Sequence, residues 1–404
     1  MHPYLPYLFH LEHNLNKTLR TFVLASVAQA VMAVGAIAAP VKIGFMTTLS
    51  GPGSALGQDQ LDAFMLAVEE GKGKLGGVDV EIVKFDDQMK PEVGVQGARE
   101  LMQRDQTPII TGIIYSNVMM AVHKPITSEG VFLIGSNAGP TPITGKGCSP
   151  YFFSTSWNND QLHEAGGELA NKMKLQNMYL LAPNYQAGKD ALAGFKRTYK
   201  GKVIGETLTQ VNQPDYGVEL AALQAAKPDA VYVFFPGGMG VNFVKQYQQS
   251  GLLGKVPLVS VSTIDGSTLP ALQDVALGAV TSSSYSPDLD NPANKKFEAA
   301  YKAKYGREPS LYAAQSYDAA NLIASALKAT KGDVSDKPAF RAALKKADFQ
   351  SVRGYFAFNT NQFPIAPFYR VDVAKDASGK AALVDKGVIF EKSKDSFAAE
   401  CTMN

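Results

Sequence analysis

Two cysteines, one tryptophan and five histidines in 404 residues leave little material for thiol or metal chemistry. No long apolar run occurs beyond the N-terminus, which excludes a multi-pass membrane fold. Neither sign of charge dominates. Thirty-nine Lys and Arg against 37 Asp and Glu give a formal +2, so there is no basic field for nucleic acid and no acidic field for cations. Short catalytic signatures are missing too: no G-x-x-x-x-G-K-[ST] phosphate loop, no G-x-S-x-G nucleophile elbow, no H-E-x-x-H. Gly51-Pro52-Gly53 lacks the correctly spaced third glycine of a dinucleotide fingerprint. What is present is ordinary globular composition, 46% hydrophobic and 19% charged, which excludes bulk disorder. The length corresponds to two or three domains.

The one apolar run reads as an address. Lys17 and Arg20 precede the uncharged stretch Thr21 to Ala38, and Ala36-Ile37-Ala38 has the small-residue pattern of a cleavage site. Residues 1–38 are therefore expected to be a secretory signal peptide, with translation starting nearer Leu15. Export makes the cysteines readable: an even count in an oxidising compartment implies one disulfide, Cys148 to Cys401. Only His123 and His163 remain in the exported chain. They lack a ligand cluster and read as ordinary surface or helix residues, so no metal site and no cofactor are expected.

From Val41 the pattern alternates strand and helix. Val41–Met46, Val78–Phe85, Pro108–Ile114 and Val131–Ile134 read as strands. Helices are expected around Leu61–Val68, over Pro91–Arg104, and from Ser116 to about Glu129. The grammar then restarts, with strands at Asn177–Ala182, Lys202–Leu208, Asp229–Phe235 and Val256–Val261 and helices at Gly188–Tyr199, Tyr216–Lys227 and Met239–Ser250. This order points to an α/β protein with two doubly wound parallel sheets. Ser282–Asn291 reads as a connection. Pro292–Tyr305, Leu311–Thr330 and Lys337–Ala347 read as helices, and Gly354–Phe358, Phe368–Val373 and Gly387–Phe390 as short strands returning to the existing lobes.

Open α/β sheets bind ligands beyond the carboxyl ends of their strands. The loops at those ends are Thr48–Gly57, Tyr115–Asn117, Ser136–Thr141, Asn184–Gly188, Phe234–Gly238 and Ser262–Gly266. They are rich in Gly, Ser, Asn and aromatics, and none carries Lys or Arg. Backbone N–H groups, hydroxyls and helix N-termini can hold a carboxylate there without a salt bridge. Asp86, Asp87 and Asp265 read as solvated loop acids, not catalytic ones.

At these loops the sequence resembles the leucine/isoleucine/valine-type periplasmic solute-binding proteins of ABC importers. The resemblance is carried by VKIGFMTTLSGPGSALGQDQLDAFMLAVEEG, KFDDQMKPEVGVQGARELMQRDQTPIITG, FLIGSNAGPTPIT, the Tyr185-x-x-Gly188 loop, PDAVYVFFPGGMGVNFVKQYQQSGL and PSLYAAQSYDAANLI. It implies two Rossmann-like lobes joined by three crossovers, closing on a ligand like a clamp. Lobe 1 would be about 41–158 plus 286–363, and lobe 2 about 159–285 plus 364–404. It implies transport rather than catalysis: an extracytoplasmic, monomeric protein handing a small-molecule carboxylate to an inner-membrane permease. A ligand-sensing module on the same fold is the alternative.

By that resemblance the ligand site falls on Leu56, Ser116, Asn137, Ala138 and Gly139 in lobe 1, with Ser116 and the loop amides on the carboxylate. In lobe 2 it falls on Tyr185, Phe235, Pro236, Ser262 and Thr263. Amino-acid binders carry an acidic residue for the ligand ammonium where this chain has Ser262 or Thr263, and a buried ammonium without a counter-charge is costly. Asp265, two to three residues on, could take that role. With Tyr115, Tyr185, Phe235 and Trp157 at hand, an aromatic acid such as a benzoate or hydroxycinnamate derivative is favoured. Branched or polar amino acids and amides are the alternatives.

Overall fold

The computed structural model describes residues 39–403; the expected signal segment and its cleavage site lie outside the described residues. Two sheets carry the fold. The first has six strands, ordered β2-β3-β1-β4-β5-β6: β1 (Val41–Thr47), β2 (Lys74–Leu75), β3 (Val78–Asp86), β4 (Ile109–Gly112), β5 (Phe132–Gly135) and β6 (Phe152–Ser154). All its pairings are parallel except the short β2–β3 hairpin. Strands β4 and β5 are buried throughout, as in Ile109-Ile110-Thr111-Gly112, because helices cover both faces of a parallel sheet.

The second sheet is ordered β12-β13-β11-β10-β9-β7-β8, with β14 on β13. Its strands are β7 (Asn177–Pro183), β8 (Lys202–Thr209), β9 (Ala230–Val233), β10 (Leu258–Val261), β11 (Val280–Ser283), β12 (Ala357–Phe358), β13 (Pro364–Lys375) and β14 (Ala381–Ser393). The parallel part, β7 to β11, is closed at one edge by antiparallel β13. Three expectations are corrected here. Ser282 and Ser283 belong to β11 rather than to a connection. The C-terminal strands form one long hairpin of 12 and 13 residues. The helix from Pro91 is α-helical only to Arg99, after which Glu100–Arg104 widens into a π-type turn.

After β11 the chain returns to the first sheet, where helix Leu311–Thr330 packs along helix Ser54–Glu70. A buried ion pair ties this return to the crossover after β6. Arg353 Nε donates to Asp318 Oδ2 at 3.0 Å, and its guanidinium also donates to the Thr155 and Ser156 carbonyls. Ser351 and the Val352 amide complete the Asp318 carboxylate. Cys148 and Cys401 are joined, with Cα atoms 5.7 Å apart, which pins the C-terminal segment to the loop before β6. Closing so long a loop stabilises by about 2–4 kcal/mol. No described helix is long and apolar enough to cross a membrane.

Candidate functional site

The carboxyl ends of both sheets face one cavity. Of the residues singled out from sequence, Leu56, Tyr115, Ser116, Asn137, Ala138, Tyr185, Pro236 and Ser262 line it. The loops touch across it: the Gly238 N–H reaches the Pro52 carbonyl at 3.4 Å. Close approach explains the glycine of the Tyr185 loop, because a Cβ on Gly188 would stand 1.8 Å from the Pro183 carbonyl oxygen.

Five helices of 12 or more residues put a residue of their first turn on this cavity, starting at Ser54, Ser116, Asn159, Gln186 and Leu311, and a sixth, from Gly238, begins two residues after the lining Pro236. Each N-terminus carries a partial positive charge. Asn158 and Ser310 cap their own helices through their side chains. Tyr115, Tyr185 and Gly237 supply no side-chain cap. In the first helix the earliest intrahelical bond runs from Met119 N–H to Tyr115 O, so the Ser116, Asn117 and Val118 amides have no helical acceptor. No Asp, Glu, Lys or Arg lines the cavity.

Asn159 organises the polar end. Its Nδ2 donates to Ser116 Oγ at 3.1 Å and to Asp190 Oδ2 at 2.9 Å, and its Oδ1 accepts from Gly139 N–H at 3.3 Å. Ser116 therefore accepts from Asn159 and keeps its own hydrogen to give. Burial raises the Asp190 carboxyl, against hydrogen bonds from Asn159, Gln186 and the Thr141 amide. Burial likewise pushes the Tyr115, Tyr185 and Tyr312 phenols up, so all three stay protonated.

Four singled-out residues stand elsewhere. Phe235 is buried against Tyr216 and Phe243, and its neighbour Phe234, just past the end of β9, lines the cavity instead. Thr263 is a backbone staple, accepting from Phe235 N–H at 2.8 Å and donating to the Val233 carbonyl at 3.2 Å. Gly139 packs on the Trp157 carbonyl, and both its amide and that of Ala138, which donates to Ile113 O, are already used. Those two amides are thus not free for a carboxylate. Asp265 lines a separate, smaller cavity with Tyr285 and Ser310; one oxygen holds Ser267, the other has no partner, and burial raises its pKa to about 6.

Asp87 and Asp265 are buried, contrary to the solvated-loop expectation. Asp87 is drawn in by Thr48 and the Met89 amide, at 2.5 and 2.8 Å. His123 and His163 are buried as well, and burial lowers them to about 4 and about 3. Asn159, Leu162, His163, Ala187, Ile114, Phe234 and Tyr312 line the cavity without having been singled out for it, whereas Trp157, named from sequence among the pocket aromatics, lines it as expected. Ser262 holds a left-handed backbone, φ +48°, with its hydroxyl beside the Tyr312 phenol. A non-glycine residue in that conformation is uncommon and concentrates at ligand sites. No group of three or more metal-ligating side chains occurs among the described residues.

This fold is shared with solved proteins. The chain is 28% identical over 392 residues to Leu/Ile/Val-binding protein homolog 6 of Brucella melitensis, covering 93% of this chain and 96% of that one. A solute-binding protein of an ABC transporter from R. palustris, solved with benzoate, superposes with a TM-score of 0.85 at 31% identity, covering 90% of this chain and all of that one. Another, from Rhodopseudomonas palustris BisB5 with 3,4-dihydroxybenzoic acid, gives 0.81 at 29% identity, covering 88% and 99%. The family model described as periplasmic binding protein matches residues 40–380, and on that extent of agreement the chain belongs to the periplasmic binding proteins, the solute-binding components of ABC transporters.

Proposed function

We propose that the protein captures an aromatic carboxylic acid and delivers it to an inner-membrane permease. The observation that carries this reading is the cavity wall: helix N-termini and the Ser116 hydroxyl at one side, Tyr115, Trp157, Tyr185, Phe234 and Tyr312 around it, and no charged side chain. Oriented N–H dipoles suit a carboxylate. An ammonium would have no counter-charge, which is costly in a buried site. The benzoate and dihydroxybenzoate held by the two R. palustris proteins support the same class. The likeness to a Leu/Ile/Val-binding protein homologue favours an aliphatic amino acid instead, with Leu56, Ile114 and Leu162 around the side chain. The lobes are 41–158 plus 286–363 and 159–285 plus 364–404, hinged where the chain passes between the sheets, and the exported protein acts as a monomer.

The test is thermal unfolding of the chain from Ala39 against benzoate, 4-hydroxybenzoate, coumarate, leucine, glutamate and urea. A ligand at a hundred times its dissociation constant stabilises by about 2.7 kcal/mol, a rise of a few degrees. A shift with the aromatic acids alone upholds the reading. A shift with leucine or glutamate and none with the aromatic acids overturns it.

A further inference from the structure

The carboxylate end of the cavity leaves the far end of the ring unread. His163 lies four residues beyond Asn159 on one helix, so the two side chains share a face about 5–6 Å apart. Asn159 touches Ser116, and His163 lines the same cavity one turn further along. A benzoate ring puts a para substituent roughly 6 Å from its carboxyl carbon, close to one helical turn.

The imidazole is held in a fixed state. Its Nδ1 meets the Tyr232 hydroxyl, and its edge packs on Phe234 with ring centroids 4.8 Å apart. Tyr232 is fully buried, and His163 is the only hydrogen-bond partner of its hydroxyl among the described residues. A buried phenol must spend its single donor, so Tyr232 donates to Nδ1. Burial keeps the ring neutral. Its one proton then sits on Nε2, an N–H with no protein acceptor among the described residues, at the wall of the cavity.

We infer that His163 is a specificity residue that donates a hydrogen bond to an oxygen substituent on the far side of the bound ring, so that the preferred cargo is a hydroxy- or alkoxy-substituted aromatic acid. The inference rests on the aromatic-acid reading above. Tyr232, which touches no ligand, is the positioning residue that sets the tautomer.

Titration calorimetry with 4-hydroxybenzoate, 4-methoxybenzoate and the near-isosteric 4-methylbenzoate tests it, on the native protein, His163→Leu and Tyr232→Phe. The native protein should hold both oxygenated acids about tenfold or more tighter than the methyl compound, since one buried hydrogen bond separates them. His163→Leu should compress that ratio to threefold or less. Tyr232→Phe should narrow it while leaving the imidazole in place, which keeps the test decisive if the leucine variant folds poorly. A native ratio near one, or a ratio unchanged in both variants, overturns the inference while benzoate binding stands. Binding of leucine and of no aromatic acid overturns both readings together.

Discussion

Tyr115 and Tyr185 face each other from different sheets, with ring centroids 6.3 Å apart and planes inclined at 58°. Tyr115 ends the run after β4, and Tyr185 ends the run after β7. Tyr185 then continues into Phe234, its ring nearly parallel at 16°. An aromatic wall thus runs from the loops of one sheet to those of the other. Replacing Tyr185 by Ala should weaken the ligand by about tenfold or more, while Tyr185→Phe should cost less, because the ring surface carries more than the hydroxyl. Equal losses in calorimetry would mean that the phenol oxygen is the contact.

Ser116 is the donor that Asn159 leaves free. Hydrogen bonds to a charged group contribute about 1.5–3 kcal/mol, so Ser116→Ala should lower carboxylate affinity roughly ten- to a hundredfold. The same variant should change the affinity of the neutral benzamide far less. A common loss for acid and amide would remove Ser116 from the carboxylate contact.

The Arg353–Asp318 pair joins the returning C-terminal segment to the crossover after β6, and both side chains are essentially inaccessible. Arg353→Met leaves a buried carboxylate without its partner, which should destabilise by about 3–5 kcal/mol in urea unfolding. Adding Asp318→Leu should restore much of that loss. A double variant no more stable than the single one would show that the hydrogen bonds to the Thr155 and Ser156 carbonyls matter more than the charge.

Asp265 should set a pH dependence of stability. Its folded pKa of about 6 lies above the usual carboxylate value because of burial, with Asp59 adding to the rise and Ser267 opposing it. The folded state therefore binds more protons than the unfolded one between about pH 4 and 6. The stability present below pH 4 is lost as pH rises through 6, by about 3 kcal/mol in all. Asp265→Asn lacks this loss, so its stability relative to the native protein should grow over that interval and stay level above it. Parallel curves from pH 4 to 8 would refute the assignment.

Much of this site was legible because buried parallel strands and their following helices leave a strong alternating pattern. That pattern located the loops bearing Leu56, Ser116, Asn137, Tyr185 and Ser262. It could not choose between Phe234 and Phe235, since both are apolar neighbours in the loop just past β9 and only the folded chain sends one to the cavity and the other to the core. It missed β11 because three of the four residues of Val280-Thr281-Ser282-Ser283 carry a hydroxyl, although the strand is fully enclosed by its neighbours. Asn159 and His163 escaped for a different reason. They lie on the helix after the crossover, where the signal visible in sequence is the Asn158–Gln161 capping box, a mark of a helix start and not of a ligand. Asp87 and Asp265 looked solvated because burial of a carboxylate depends on partners that only the folded chain assembles.

The link between Cys148 and Cys401 turns most of the polypeptide into a covalent ring. A single cut by a protease anywhere between the two cysteines opens that ring without releasing a fragment. A nicked molecule keeps its full mass and both lobes until the bond is reduced, so damage in the surface loops need not cost the cell its captured solute.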